Sequence, residues 1–159
     1  MPSRQARSAG LRPAGVAGAV LAFGASLGAG GVAQSSLPAG TERVIVPHVL
    51  SLTVVHNTGV AFGLLARLGP AAVVGLALTV LGVLLYNRSA WPATGAGQWG
   101  LGLMVGGALG NIVERLRFGY VVDYVDVHVW PVFNLADTAI VVGAGLLLLA
   151  LSRSGGSRG

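Results

Sequence analysis

Apolar residues in this chain gather into long unbroken runs rather than the alternations of a half-buried strand or an amphipathic surface helix. Four runs are long enough to cross a bilayer, which takes roughly 17–25 residues per helix. The first covers about residues 13–33 and is rich in Ala and Gly. The second covers about 68–86, with no charge between Arg67 and Arg88. The third covers about 98–116 and runs into Glu114 and Arg115; the fourth covers about 134–151 and includes Leu146, Leu147, Leu148 and Leu149. Between the first two runs the pattern changes. Residues 43–47 and 50–55 are rich in β-branched side chains and punctuated by Pro and Gly, which predicts short strands in a β element over about 42–66. The expected organisation is a single membrane domain over residues 1–159.

Composition supports a lipid environment. The chain is 53% hydrophobic and 9% charged, with a mean hydropathy of +0.76, whereas a soluble domain carries about a quarter charged residues. It has no cysteine, which excludes disulfides, thiol nucleophiles and Cys-ligated metals. All ten basic residues are arginine and the net charge is +5. They are spread out, which argues against a nucleic-acid surface. Arg4, Arg7, Arg12, Arg88, Arg153 and Arg158 fall on one side of a four-span topology, and Arg43, Arg67, Arg115 and Arg117 on the other. The positive-inside rule then puts both termini in the cytoplasm and both longer loops outside. A rival reading takes the first run as a cleavable secretory signal ending at Gly31-Val32-Ala33. Its length and the three runs that follow favour a retained helix.

Four of the five acidic residues, Glu114, Asp123, Asp126 and Asp137, fall between the end of the third run and the start of the fourth. Ionisable groups at a membrane boundary are costly and point to function. Two carboxylates held together cannot both ionise cheaply, so one keeps a proton and the pair can act as base and acid around one water. That chemistry hydrolyses a peptide bond without cysteine, serine triad or metal. Plainer readings exist for each residue. Asn134 and Asp137 have the spacing of a helix cap and its acidic partner. Asp123 and Asp126 suit a solvated loop, and Asn57-Thr58-Gly59 suits a turn. His48, His56 and His128 lack metal-ligand spacing, so no metal and no cofactor are expected.

Three blocks resemble the signal peptidase II family of bacterial membrane aspartic proteases: residues 57–65 (NTGVAFGLL), residues 106–115 (GGALGNIVER) followed by 119–124 (GYVVDY), and residues 133–137 (FNLAD). The resemblance implies Asp123 and Asp137 as the catalytic pair and selects Asp123 over Asp126. It also implies Asn57, Gly59, Asn111, Arg115 and Asn134 as residues that line the site and hold substrate or the aspartates. The implied fold is membrane all-α: four transmembrane helices, an extracytoplasmic β-cradle, and a short interfacial helix over residues 59–65. The implied substrate is a prolipoprotein, cut before the cysteine that bears a diacylglyceryl group, with the site near the outer leaflet of the bacterial inner membrane. Membrane lipids and globomycin-like inhibitors are the other implied partners, with no nucleic acid and a monomeric enzyme. Three positions depart from the pattern. Ser26 and Gly30 stand where members commonly carry Asp and Lys, and Glu114 stands where Asp is usual. The alternative is therefore an inactive homologue, or a small membrane transporter or scaffold that binds lipoproteins without cleavage.

Overall fold

The computed structural model describes residues 11–59 and 69–155. The chain order is α1 (Pro13–Ser36), β1 (Glu42–Val46), β2 (Leu50–Asn57), α2 (Gly69–Tyr86), α3 (Gly95–Phe118), β3 (Val121–Asp126) and α4 (Leu135–Gly155), with a 3-10 turn at Arg88–Ala90. Among the described residues, three helices are long and apolar enough to cross a membrane: Pro13–Ser36, Gly69–Tyr86 and Leu135–Ser154. The Gly31-Val32-Ala33 segment lies inside α1, which continues to Ser36. The second expected run begins at residue 68, outside the described residues, as does nearly all of the expected interfacial helix.

The helices are packed with small residues inward and large apolar ones outward. Val80, Val141 and Leu148 are each more than half exposed, which suits a lipid-facing surface. Helix α3 lies at the centre and is sheathed by α1 and α4. On one face its Gly102, Gly106 and Gly110 meet Gly15, Ala19, Ala22 and Ser26 of α1; on another, Gly100 and Gly107 meet Gly143, Ala136 and Ile140 of α4. Such small-residue seams let helix backbones approach closely where no hydrophobic drive separates protein from lipid. The weak hydropathy of the first run follows from the same seam. The N-terminal ends of α1 and α3 are also joined by a polar contact: buried Gln98 accepts the Arg12 backbone N–H at 2.9 Å.

Gly119 ends α3 with a left-handed backbone (φ 80°), and its N–H returns to Arg115 O at 2.9 Å. That turn is open to glycine without strain, and it sends the chain directly into β3. The segment between the third and fourth runs, expected from sequence as a loop, thus contains a six-residue strand, Val121–Asp126. The described strands form an antiparallel sheet in the order β1-β2-β3. In the β2/β3 pairing, Leu52 faces Val125 and Val55 faces Asp123, so Thr53 and Val54 together oppose Tyr124. Bulges of this kind re-aim neighbouring side chains, and this one lies beside Asp123. After β3 the chain folds back. Phe133 N–H bonds to Val125 O at 3.0 Å, and Phe133 O accepts from Tyr124 and Val125. The return brings Asn134, and hence the start of α4, to the sheet.

Candidate active site

Asp123 lies in β3 and is 2% exposed. Its Oδ2 accepts from Asn57 Nδ2 and its Oδ1 from Asn134 Nδ2, both at 2.8 Å. Asp137 lies in the first turn of α4, where a carboxylate also gains from the helix dipole. Its Oδ1 accepts from Asn111 Nδ2 at 2.8 Å. The two acids are tied together by Asn134. Its Oδ1 accepts Asp137 N–H at 2.9 Å, while Nδ2 donates to Asp123 and to Asn111 Oδ1 at 3.1 Å. Every donor and acceptor on that side chain has a defined partner, so its orientation is dictated by the network. Asp137 Oδ2 in turn faces Asn134 N–H at 3.4 Å. The cap expected from the Asn134/Asp137 spacing is present, and it coexists with the acid pair.

Asn57 has a second role besides its bond to Asp123. Its Oδ1 accepts Gly59 N–H at 2.9 Å and closes a tight turn at the end of β2. Arg115, 8% exposed, then holds Gly59 O at 2.7 Å and Asn111 O at 3.3 Å. Its Nε has no hydrogen-bond partner among the described residues. All seven residues singled out from sequence, Asn57, Gly59, Asn111, Arg115, Asp123, Asn134 and Asp137, therefore meet in one network drawn from β2, α3, β3 and α4.

Asp126 turns away from this network. One oxygen accepts His128 N–H at 2.8 Å and the other lies 3.3 Å from Thr53 Oγ1. It stands three positions after Asp123, an odd offset that puts the two on opposite faces of the strand. Two contributors escape sequence reasoning. Tyr124 is buried and its hydroxyl accepts Leu135 N–H at 3.2 Å, fixing the start of α4 against β3. His56 stacks on Tyr120 at 3.9 Å between ring centroids. Neither side chain carries a spacing signal that separates it from an ordinary strand aromatic or loop histidine.

Asn57, Gly59, Asn111, Arg115, Asp123 and Asp137 form the polar floor of an open cavity of about 700 Å³. Apolar walls come from Val73 and Ala77 of α2 and from Ile140 and Val141 of α4, with Trp130 and Phe133 at the loop that precedes α4. A mostly apolar cleft with a few convergent polar groups is the form of a binding site. Burial pushes the Asp123 carboxyl up from the usual 3.8 to about 7. The Asn57 bond opposes the rise, the Asp137 charge adds to it, and the Asn134 bond and Arg115 charge oppose it more weakly. A carboxyl near 7 can hold a proton at neutral pH and release it on demand.

A family model described as signal peptidase (SPase) II matches residues 29–153. A lipoprotein signal peptidase of Pelotomaculum thermopropionicum is 49% identical over 112 residues, covering 70% of this chain and 74% of the relative. One of Halothermothrix orenii is 46% identical over 109 residues, covering 67% and 73%. A bacterial membrane enzyme solved by the in meso method at 2.3 Å resolution superposes with a TM-score of 0.80 at 26% identity, covering 91% of each chain.

Proposed function

The chain belongs to the signal peptidase II family and removes signal peptides from prolipoproteins; we propose that it does so as an aspartic endopeptidase, with Asp123 and Asp137 as its catalytic pair. The observation that carries this reading is the shared network through Asn134, which joins a buried carboxyl raised to about 7 to a second carboxylate on the floor of one cleft.

The mechanism follows from that arrangement. We take Asp123, whose carboxyl burial raises to about 7, as the proton donor of the pair, and Asp137 as its base. A water between them loses a proton to Asp137 as its oxygen bonds to the scissile carbonyl carbon. The tetrahedral intermediate collapses when Asp123 gives its proton to the leaving nitrogen and the C–N bond breaks. The signal peptide leaves with a new carboxyl terminus, and the lipoprotein keeps a free amine. Asn57, Asn111 and Asn134 hold the two carboxylates against rotation, and Arg115 fixes the Gly59 turn under which substrate lies.

The substrate is cut before its diacylglyceryl-modified cysteine. The apolar walls from α2 and α4 suit acyl chains arriving from the bilayer, and the polar floor suits the peptide. We read α3 as a fourth span: it is 24 residues long, and its lower hydropathy reflects burial between α1 and α4 rather than exposure. With four spans both termini share a side, and the arginine distribution favours the cytoplasm for them, with the site near the outer leaflet of the inner membrane in a single monomeric domain in contact with lipid. Globomycin-like peptides would compete for the same cleft. The test is cleavage of a diacylglyceryl-modified prolipoprotein by the purified protein, with the new amino terminus sequenced. A product beginning at the lipidated cysteine is expected. A product cut elsewhere, or equal cleavage of the unmodified precursor, would overturn the substrate assignment.

A further inference from the structure

Glu114 is a buried carboxylate (7% exposed) that does not line the cleft and takes no part in the steps above. Its Oε2 accepts the backbone N–H of Val122 at 3.0 Å. Val122 immediately precedes Asp123 in β3. Its Oε1 lies over Gly30 of α1, so close that a Cβ at that position would stand 2.5 Å away. The long arm of a glutamate thus crosses from α3 to the strand, while glycine on α1 leaves the room its other oxygen occupies. Both contacts are buried, and a Val122 N–H left without an acceptor would carry the desolvation cost of an unpaired donor.

We infer that Glu114, seated against Gly30, is a positioning residue for Asp123: it fixes the peptide that carries the Asp123 side chain and so the direction from which that carboxyl meets the reacting nitrogen. The inference rests on the reading of Asp123 as one of the acid pair. Glycine at 30 and glutamate at 114 are then a matched set, since a Cβ at 30 would displace the carboxylate from the seat in which it accepts Val122 N–H.

The experiment is a steady-state analysis of prolipoprotein cleavage by the full-length protein. It compares the parent with Glu114→Ala, Glu114→Gln, Gly30→Ala and the double variant Gly30→Ala/Glu114→Ala. Glu114→Ala is expected to lower kcat about 100-fold, the scale of a ~1 Å misplacement, with KM changed less than about threefold. Glu114→Gln keeps an oxygen that accepts Val122 N–H and restores kcat to within roughly tenfold of the parent. Gly30→Ala lowers kcat alone but has no further effect once Glu114 is alanine, because the collision is gone. A Glu114→Ala kcat within about threefold of the parent overturns the inference. So does a glutamine variant as slow as the alanine one, or full additivity with Gly30→Ala. If Glu114→Ala fails to fold, Gly30→Ala and Glu114→Gln decide: parental kcat in the former, or none in the latter, overturns it. Turnover by Asp123→Asn would instead overturn the acid pair itself, so the two failures are distinguishable.

Discussion

Replacing Asn57 with alanine removes the hydrogen bond that most strongly favours the ionised form of Asp123. The bond is 2.8 Å long and ends on a carboxylate that is 2% exposed, so solvent cannot replace it cheaply. A hydrogen bond to a charged group contributes about 1.5–3 kcal/mol, and about 1.4 kcal/mol moves a pKa by one unit. Losing a bond to the charged form favours the acid, so the Asp123 pKa rises from about 7, by roughly one to two units. The mechanism needs Asp123 protonated, so activity falls as pH climbs past that value. In Asn57→Ala the alkaline limb of kcat should therefore move to higher pH. The height of the profile should fall as well, because Gly59 N–H loses its acceptor. Gel-shift cleavage across a pH series, with saturating lipidated substrate, reads both effects. An alkaline limb that stays in place or moves to lower pH would refute the role given to the Asn57–Asp123 bond.

Three further outcomes follow from the same geometry. Asp126→Asn should keep near-parental turnover, because its carboxylate serves Thr53 and His128 outside the cleft; loss of cleavage would move the site to the other face of β3. Gly107→Ala would place a Cβ 2.5 Å from Ala136 O; overpacking there should cost about 1–3 kcal/mol, seen as a lower unfolding temperature in detergent and slower turnover, whereas no change in either contradicts the close α3/α4 seam. Finally, with a folded pKa of about 7 against 3.8, Asp123 binds more proton when folded than when unfolded between those values. Its contribution to stability is present below about pH 4 and is lost as pH rises through about 7, a difference of roughly 4 kcal/mol for a shift of this size. Unfolding followed over that range should show a slope that flattens in Asp123→Asn, and an unchanged slope would contradict the raised pKa.

Much of this arrangement was legible because lipid imposes simple rules on sequence. Runs without charge mark α1, α2 and α4 to within a few residues, and β-branched clusters between Gly and Pro mark β1 and β2. The capping spacing of Asn134 and Asp137 fixed the start of α4. The site residues were reached through the three resembling blocks, since Asp123, Asn111 and Arg115 are far apart in sequence and nothing in their local spacing says that they converge. Strand β3 was missed because its six residues, Val121–Asp126, carry two aspartates that look like loop chemistry; its pairing with β2 and with Phe133 is a tertiary effect. Helix α3 was harder for the opposite reason. Its glycines and polar side chains lower its hydropathy, yet they are what lets it sit between α1 and α4. The departure at Gly30 was visible in the sequence, but its consequence was not, because only the fold brings Gly30 under Glu114.

The most direct test of the central claim is the cleavage of a diacylglyceryl-modified prolipoprotein by the purified parent beside Asp123→Asn and Asp137→Asn, each shown to be folded and to bind substrate. The acid-pair account predicts product from the parent alone. Turnover by either asparagine variant at near-parental rate would contradict it.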